Sequence, residues 1–406
     1  MPDFYPPRLN LTLVKLCQAI APPLVRWRYR VDLELGQECL AKLAALKAQR
    51  LLLLPNHPTF QDPIVTFLLS AKLQQPFYYL AAHETFKGVL GSFLQRIGAY
   101  SIRRAIADRA SIAQTLDLLT QANNKLVIFP EGGCSFQNDT VMPFRVGGVQ
   151  IAFQALAKFA KRGEPIPDLY AVPISIKYHY TEDTAPIIQD ALSHLEKTLE
   201  ISSTGNEYER LRAIAEQVLI QIEQEYGLYT PELHHQPWNE RIAALKSHIL
   251  QECEQLLKVT SSPGELSRER VYRLQHAIRT KNDALADGSG LAADDSPQQA
   301  PDEIRWTVET VEKAMFRVLN FDAIYDGYVA ANPTPERFLD TVTRLEREVF
   351  QIDQPPPKGH RKARVKVGEP INLKTHFEAY QKNRAGVVNQ LVSQIQQAVQ
   401  QNLDLL

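Results

Sequence analysis

Cysteine is scarce in this chain, with four among 406 residues. Cys17, Cys39, Cys134 and Cys253 stand far apart, and no Cys-x-x-Cys pair occurs. This spacing excludes a disulfide framework and a thiolate zinc site, and no metal ligand set is expected elsewhere. A reducing compartment, the cytoplasm, is therefore the expected location. Charge of one sign is equally lacking: 45 Lys plus Arg stand against 46 Asp plus Glu, a net charge of -1. No field over the whole chain draws in nucleic acid or anionic lipid, and nucleic acid is not an expected partner. Long apolar runs are also absent. The nearest, Leu9 to Val25, is broken by Asn10, Lys15, Gln18, Pro22 and Pro23 and followed by Arg26, Trp27, Arg28 and Arg30. It is too short and polar to span a bilayer, but an apolar helix with a basic, aromatic flank suits the membrane interface. Residues 1–30 thus read as an N-terminal amphipathic helix, lying either on the domain or on the inner face of a membrane. The opening Met1-Pro2-Asp3 has neither the cationic nor the apolar stretch of a secretory signal.

What is present is ordinary globular composition, 44% apolar and 22% charged, in a chain long enough for two or three domains or for one with a large insertion. From Arg30 to Tyr180 strands and helices alternate. Strands are predicted at Val31–Leu35, Leu51–Leu54, Phe77–Leu80, Ala99–Ile102, Leu126–Phe129 and Tyr170–Tyr178, with helices between them, including one over Thr85–Ile97. This alternation predicts an α/β fold with a mixed, largely parallel sheet flanked by helices. Past Ala185 only helical spacing remains, as in Leu211, Ile214, Val218, Leu219 and Ile222. A stretch over 283–302, rich in Ala, Asp, Gly, Ser, Gln and Pro, reads as a flexible linker. Strand character returns at Ala363–Val367, and Val387, Leu391, Ile395 and Val399 form the stripe of a last helix.

The most informative stretch is Asn56-His57-Pro58-Thr59-Phe60-Gln61-Asp62, directly after the Leu51–Leu54 strand. Asp62, followed by Pro63, reads as the N-cap of a helix. A loop ending in a helix start can fold the imidazole back onto the carboxylate, fixing one tautomer and freeing the other nitrogen to take a proton. Taken alone, the stretch also reads as a turn before a helix cap. Three further groups sit at strand or helix ends, where ligands bind in such sheets. Phe129-Pro130-Glu131-Gly132-Gly133 exposes a carboxylate beside two glycines. Gly98-Ala99-Tyr100-Ser101-Ile102-Arg103-Arg104 ends in two arginines suited to phosphate. Phe144-Arg145-Val146-Gly147-Gly148 opens a helix whose amides favour anions.

In this order the blocks resemble the glycerolipid acyltransferase superfamily, which includes the lysophosphatidic acid and glycerol-3-phosphate acyltransferases. Asn56, His57 and Asp62 match its Asn-His-x-x-x-x-Asp block. Gly98, Ile102 and Arg104 match the second block, Phe129, Pro130, Glu131 and Gly132 the Phe-Pro-Glu-Gly block, and Val172-Pro173-Ile174 the Val-Pro strand. Phe144-Arg145-Val146-Gly147 looks like the family's Phe-Lys-x-Gly helix start. The resemblance implies transfer of a fatty acyl group from a thioester of coenzyme A or acyl carrier protein to a hydroxyl of a lipid. His57 would be the base, oriented by Asp62, with Arg104, Glu131, Gly132 and Arg145 binding the acceptor. No cofactor beyond that thioester co-substrate is implied. No Gly-x-Ser-x-Gly elbow exists to form an acyl-enzyme. Two departures stand out. Gly133 and Cys134 occupy places where many members carry Thr or Ser and then Arg, which weakens the case for a phosphorylated acceptor. The family's Val-x-x-Gly-x-Pro-Ile segment, matched here by Val365 to Ile371, comes only after the helical stretch. The expected organisation is therefore an acyltransferase domain in two parts, 31–185 and 358–406, interrupted by an all-α insertion over 186–357.

Overall fold

The computed structural model describes residues 3–104, 106–262, 264–286, 308–322 and 324–406. Its eight strands are β1 Val31–Leu35, β2 Arg50–Pro55, β3 Tyr78–Ala82, β4 Ala99–Ile102, β5 Lys125–Val127, β6 Leu169–Tyr180, β7 Arg361–Val367 and β8 Ile371–Asn372. They form one sheet in the order β1-β7-β6-β2-β5-β3-β4, with β8 also against β6. The strands from β6 to β4 run parallel, while β7 and β8 pair antiparallel with β6 and β1 follows β7. The fold is thus mixed, mostly parallel α/β. β2 lies at its centre because Leu51, Leu52, Leu53 and Leu54 bury their side chains on both faces of the sheet.

The helices are α1 Leu11–Tyr29, α2 Gln37–Ala45, α3 Asp62–Leu73, α4 Gly88–Arg96, α5 Arg109–Thr120, α6 Gly147–Lys161, α7 Ala185–Leu199, α8 Glu207–Glu225, α9 Pro231–His234, α10 Trp238–Leu257, α11 Ser267–Ala286, α12 Val308–Phe321, α13 Tyr328–Ala331, α14 Pro335–Val349, α15 Phe377–Lys382 and α16 Arg384–Asp404. One sheet face carries α1, α2 and α3, with Val25, Leu43, Val65 and Leu69 against Leu51 and Leu53. On the other, Phe153 and Leu156 of α6 and Leu391 and Ile395 of α16 meet Leu52 and Leu54. This alternation of leucines across β2 is the period-two geometry of a strand.

Between β6 and β7 the described residues are helical, and α7, α8, α10, α11, α12 and α14 share a separate core around Ile214, Leu245, Val271 and Val342. The two ends of this helical body meet, since the Thr181 N–H donates to the His360 carbonyl at 3.0 Å. The linker expected over 283–302 falls, from residue 287 onward, outside the described residues, and 283–286 complete α11.

Some boundaries differ from the sequence expectation. The helix over Thr85–Ile97 is instead a short 3₁₀ turn, His83–Thr85, then α4, because the chain turns at Gly88 with φ +58°. α1 packs through Val14, Ala21 and Val25 and leaves Leu16, Ile20, Leu24 and Trp27 exposed. Among the described residues, no helix is long and apolar enough to cross a membrane.

Candidate active site

β2 delivers His57 just beyond its last residue. Asn56, wholly buried, uses its side-chain amide as a further rung of the sheet: it donates to the Ile176 carbonyl at 3.0 Å and accepts from the Ile176 N–H at 2.7 Å. The backbone is thereby fixed one residue before the imidazole. His57 Nδ1 lies 2.7 Å from Asp62 Oδ2. Asp62 does not act as the expected N-cap. Gln61 holds that position, and Asp62 is the first residue of α3. Its carboxylate accepts instead from Thr59 N–H at 2.8 Å and from Tyr178 O–H at 2.6 Å. Burial and the neighbouring carboxylate push the Tyr178 phenol well above its ordinary range, so it stays protonated and donates.

With Nδ1–H donated to a carboxylate, Nε2 carries the free lone pair. Phe129 stacks on the imidazole at 4.4 Å between centroids. The Cys134 sulfur is 3.4 Å from Nε2 and 3.7 Å from Nδ1. Such nearly equal distances put sulfur against the ring face, far from the line of the Nε2 lone pair. The ring is therefore gripped by its face and by Nδ1, and its Nε2 edge is left for an incoming proton donor. Burial opposes charge on His57, but the Cys134 sulfur and Asp62 outweigh it and hold the imidazole pKa well above its ordinary value.

The loop after β5 forms the second wall. Glu131, expected to bind acceptor, is 2% exposed, and its carboxylate is occupied by the protein. One oxygen accepts the His57 backbone N–H at 2.7 Å, the other the Met142 N–H at 3.1 Å. Burial raises its pKa to about 7. Gly132 has φ +75°, and a Cβ there would meet the Arg145 guanidinium at 2.4 Å, so only glycine fits beneath this arginine. At Gly133 a Cβ would lie 2.6 Å from the Tyr272 hydroxyl. Gly98 (φ +102°) lets the chain pass the Phe77 carbonyl, and Pro173, beside Leu54 in the sheet, packs on Gly368. Pro130 gives its carbonyl to Arg145 N–H at 2.9 Å.

Arg104 and Arg145 converge as the motif order implies, but neither is free. Arg104 pairs with Glu84 at 2.5 Å and Arg145 with Glu269 at 2.8 Å. The ring of Tyr272 lies 4.0 Å from the Arg104 guanidinium and 5.4 Å from that of Arg145. Glu84, between Arg104 and Arg279, is held down at about 2: burial raises its pKa, and the two guanidinium groups outweigh that. Arg268, Glu269, Tyr272 and Arg279 all belong to α11 of the helical body. No motif marked them, because on a surface helix an Arg or Tyr at helical spacing looks like solvated coating. Tyr178 was likewise hidden, as an aromatic in a strand reads as core. A cavity of about 550 Å³ between α6 and α16 contains none of these residues, touching the site only through Val146, the neighbour of Arg145.

The geometry sets a histidine–aspartate pair in one loop and brings two arginines, Arg104 and Arg145, against the ring of Tyr272. Residues 36–177 match the family model described as Acyltransferase. This stretch is an acyltransferase-family domain. The chain is accordingly an acyl-transferring enzyme, and the match spans the Asn56–Asp62, Gly98–Arg104, Phe129–Gly132 and Val172–Ile174 blocks. No curated protein matches the chain.

Proposed function

We propose that this acyltransferase moves a fatty acyl group from a thioester of coenzyme A or acyl carrier protein to a hydroxyl of a lysophospholipid or glycerol phosphate. His57 is the general base and Asp62 its orienting partner. The supporting observation is the fixed ring, with Nδ1 2.7 Å from Asp62 Oδ2 and its Nε2 edge clear of the stacked groups. Nε2 takes the hydroxyl proton as the oxygen attacks the thioester carbonyl, and gives it to the departing sulfur. No cofactor takes part besides the thioester co-substrate. Arg104 and Arg145 exchange Glu84 and Glu269 for the acceptor phosphate.

The same ion pairs favour a second reading. Carboxylates already neutralise both arginines, which suits a non-phosphorylated lipid, carotenoid or sugar hydroxyl. A catalytically silent lipid-binding role is the outcome to exclude. Purified protein, palmitoyl coenzyme A or palmitoyl acyl carrier protein, and a panel of phosphorylated and neutral acceptors separate these readings. Transfer to phosphorylated acceptors that Arg104→Ala abolishes supports the first. Transfer only to neutral ones supports the second, and transfer to none the silent role. Contact with an anionic membrane is assigned to α1, whose exposed Leu16, Ile20, Leu24 and Trp27 lie beside exposed Arg26 and Arg28. Flotation with phosphatidylglycerol vesicles, lost in Trp27→Glu, tests it.

A further inference from the structure

Acyl transfer places a negative charge on the thioester oxygen, and donors aimed at that oxygen supply a large part of catalysis. The peptides from Glu131 to Ser135 have an unusual arrangement of partners. Their carbonyls face α11. Tyr272 O–H donates to the Gly132 carbonyl at 2.9 Å. Arg268 donates to the carbonyls of Glu131 at 3.4 Å, Gly133 at 3.1 Å and Cys134 at 3.3 Å. Arg268 is itself held by Asp322 at 3.3 Å.

In a trans peptide the N–H points opposite to the carbonyl that precedes it. The Cys134–Ser135 peptide gives the direction: its carbonyl meets Arg268, and its N–H donates to the His57 carbonyl at 2.8 Å. The side away from α11 is thus the His57 side. By the same geometry the N–H groups of Gly133 and Cys134 point away from Tyr272 and Arg268 toward that side. Neither has an acceptor among the described residues. The two amides are adjacent, their residues are half-buried, and they belong to the loop whose Cys134 sulfur touches the imidazole. A left-handed Gly132 just before them lets the turn form.

We infer that the N–H groups of Gly133 and Cys134 form the oxyanion site of the transfer reaction, held open by Arg268 and Tyr272 of α11 as positioning residues. The inference rests on the acyl-transfer reading above. As the acceptor oxygen bonds to the acyl carbon and its proton passes to His57 Nε2, the carbonyl electron pair moves onto oxygen and is met by both amides. When that pair returns, the carbon–sulfur bond breaks and the thiolate leaves with the proton from His57. The helical body is then part of the catalytic apparatus, fixing the peptide planes without touching substrate.

The test uses the full chain with palmitoyl coenzyme A, reading acyl transfer and, without acceptor, the slow hydrolysis of the thioester. Hydrolysis needs the oxyanion site and base but no acceptor contact. Tyr272→Phe and Arg268→Gln lower kcat for both reactions by the same factor, on the order of tenfold to a hundredfold. The KM for thioester and the acid limb of the pH profile stay unchanged, and Arg268→Lys restores part of the rate. An unchanged melting temperature in Tyr272→Phe, which keeps the ring between the arginines, separates positioning from unfolding. Full kcat in both variants overturns the inference, as does a loss confined to transfer, which would mark Tyr272 and Arg268 as acceptor contacts. Wild-type protein that transfers no acyl group sinks the acyl-transfer reading and this inference together, whereas an active wild type beside unaffected variants sinks the inference alone.

Discussion

The two loops that make the site are supported in opposite ways. The loop after β2, Asn56 to Asp62, is held at its two ends by its own residues and by its neighbour in the sheet, Asn56 on Ile176 and Asp62 on Thr59 and Tyr178. The His57 backbone leans on the other loop, through Glu131 and Ser135. The loop after β5 is held from a distance. Arg268 and Tyr272 come from α11. Arg344, buried in α14, donates to the carbonyls of Ser135 and Phe136 at 2.8 and 2.6 Å, and Gln396 and Gln400 of α16 accept from the backbone of Phe144 and Val141. The His57–Asp62 pair thus rests mainly on its own loop and the sheet, and the groups around it depend on elements far along the chain. Damage to the helices is expected to impair catalysis while leaving the His57–Asp62 pair intact.

The largest effect should come from the first loop. His57→Ala is expected to lower kcat by about 10²–10⁴ with little change in melting temperature, as measured by acyl transfer and calorimetry. Asp62→Asn follows, with a loss on the order of a hundredfold or more because the amide no longer fixes the tautomer. On the second loop, Arg344→Met is read first as stability. It strips the donor from the Ser135 and Phe136 carbonyls and removes one of the two arginines, Arg344 and Arg361, that oppose the burial holding the Asp340 carboxyl at about 7. Denaturant unfolding should register about 1–3 kcal/mol, and activity should fall only as the fold does. Glu131→Ala bridges the two loops, since it strips the acceptor from His57 N–H and Met142 N–H. About 1–3 kcal/mol of stability and part of kcat should go together.

The smallest effect is a shift along the pH axis. His57 titrates above the ordinary value of 6.5, and the base works only when unprotonated. Activity should therefore rise with pH through that elevated value, and Cys134→Ser should move the limb to lower pH. The sign for stability is opposite: charge on His57 contributes fully below the unfolded pKa, and that contribution is lost as pH rises through the folded one. Glu131, raised to about 7 chiefly by burial, also works against stability as pH climbs from the ordinary carboxyl range toward neutrality, because the folded state there binds the extra proton. Calorimetry across pH on wild type and Cys134→Ser resolves the limb.

What the sequence made legible follows the same division. The succession of strands and helices within 31–180 and the closeness of His57 to Asp62 come from local patterns, the apolar run before a loop and the Asp-Pro helix start. The Asp-Pro pattern predicts a cap at Asp62, but a side chain that can cap a helix can also serve an imidazole five residues back. Only the folded partners, Thr59 and Tyr178, decide between them. For Glu131 the resemblance implies an acceptor contact, whereas its carboxylate in the fold accepts from two backbone amides, those of His57 and Met142. Arg268 and Tyr272 left no local trace, since their partners are carbonyls more than a hundred residues away and a carbonyl carries no sequence signature.

The place of β1 has a consequence for how the chain is made. Its sole strand neighbour among the described residues is β7, which lies far along the chain, beyond the whole helical body. β1 therefore waits, unpaired, until β7 and all the residues between the two have been synthesised. Its partner is brought close only once the helical body has joined Thr181 to His360. Closing that distance through a folded body costs far less entropy than through loose chain. The helices thus set the moment at which the sheet is completed, and variants that slow their assembly should prolong the exposure of an open edge to aggregation.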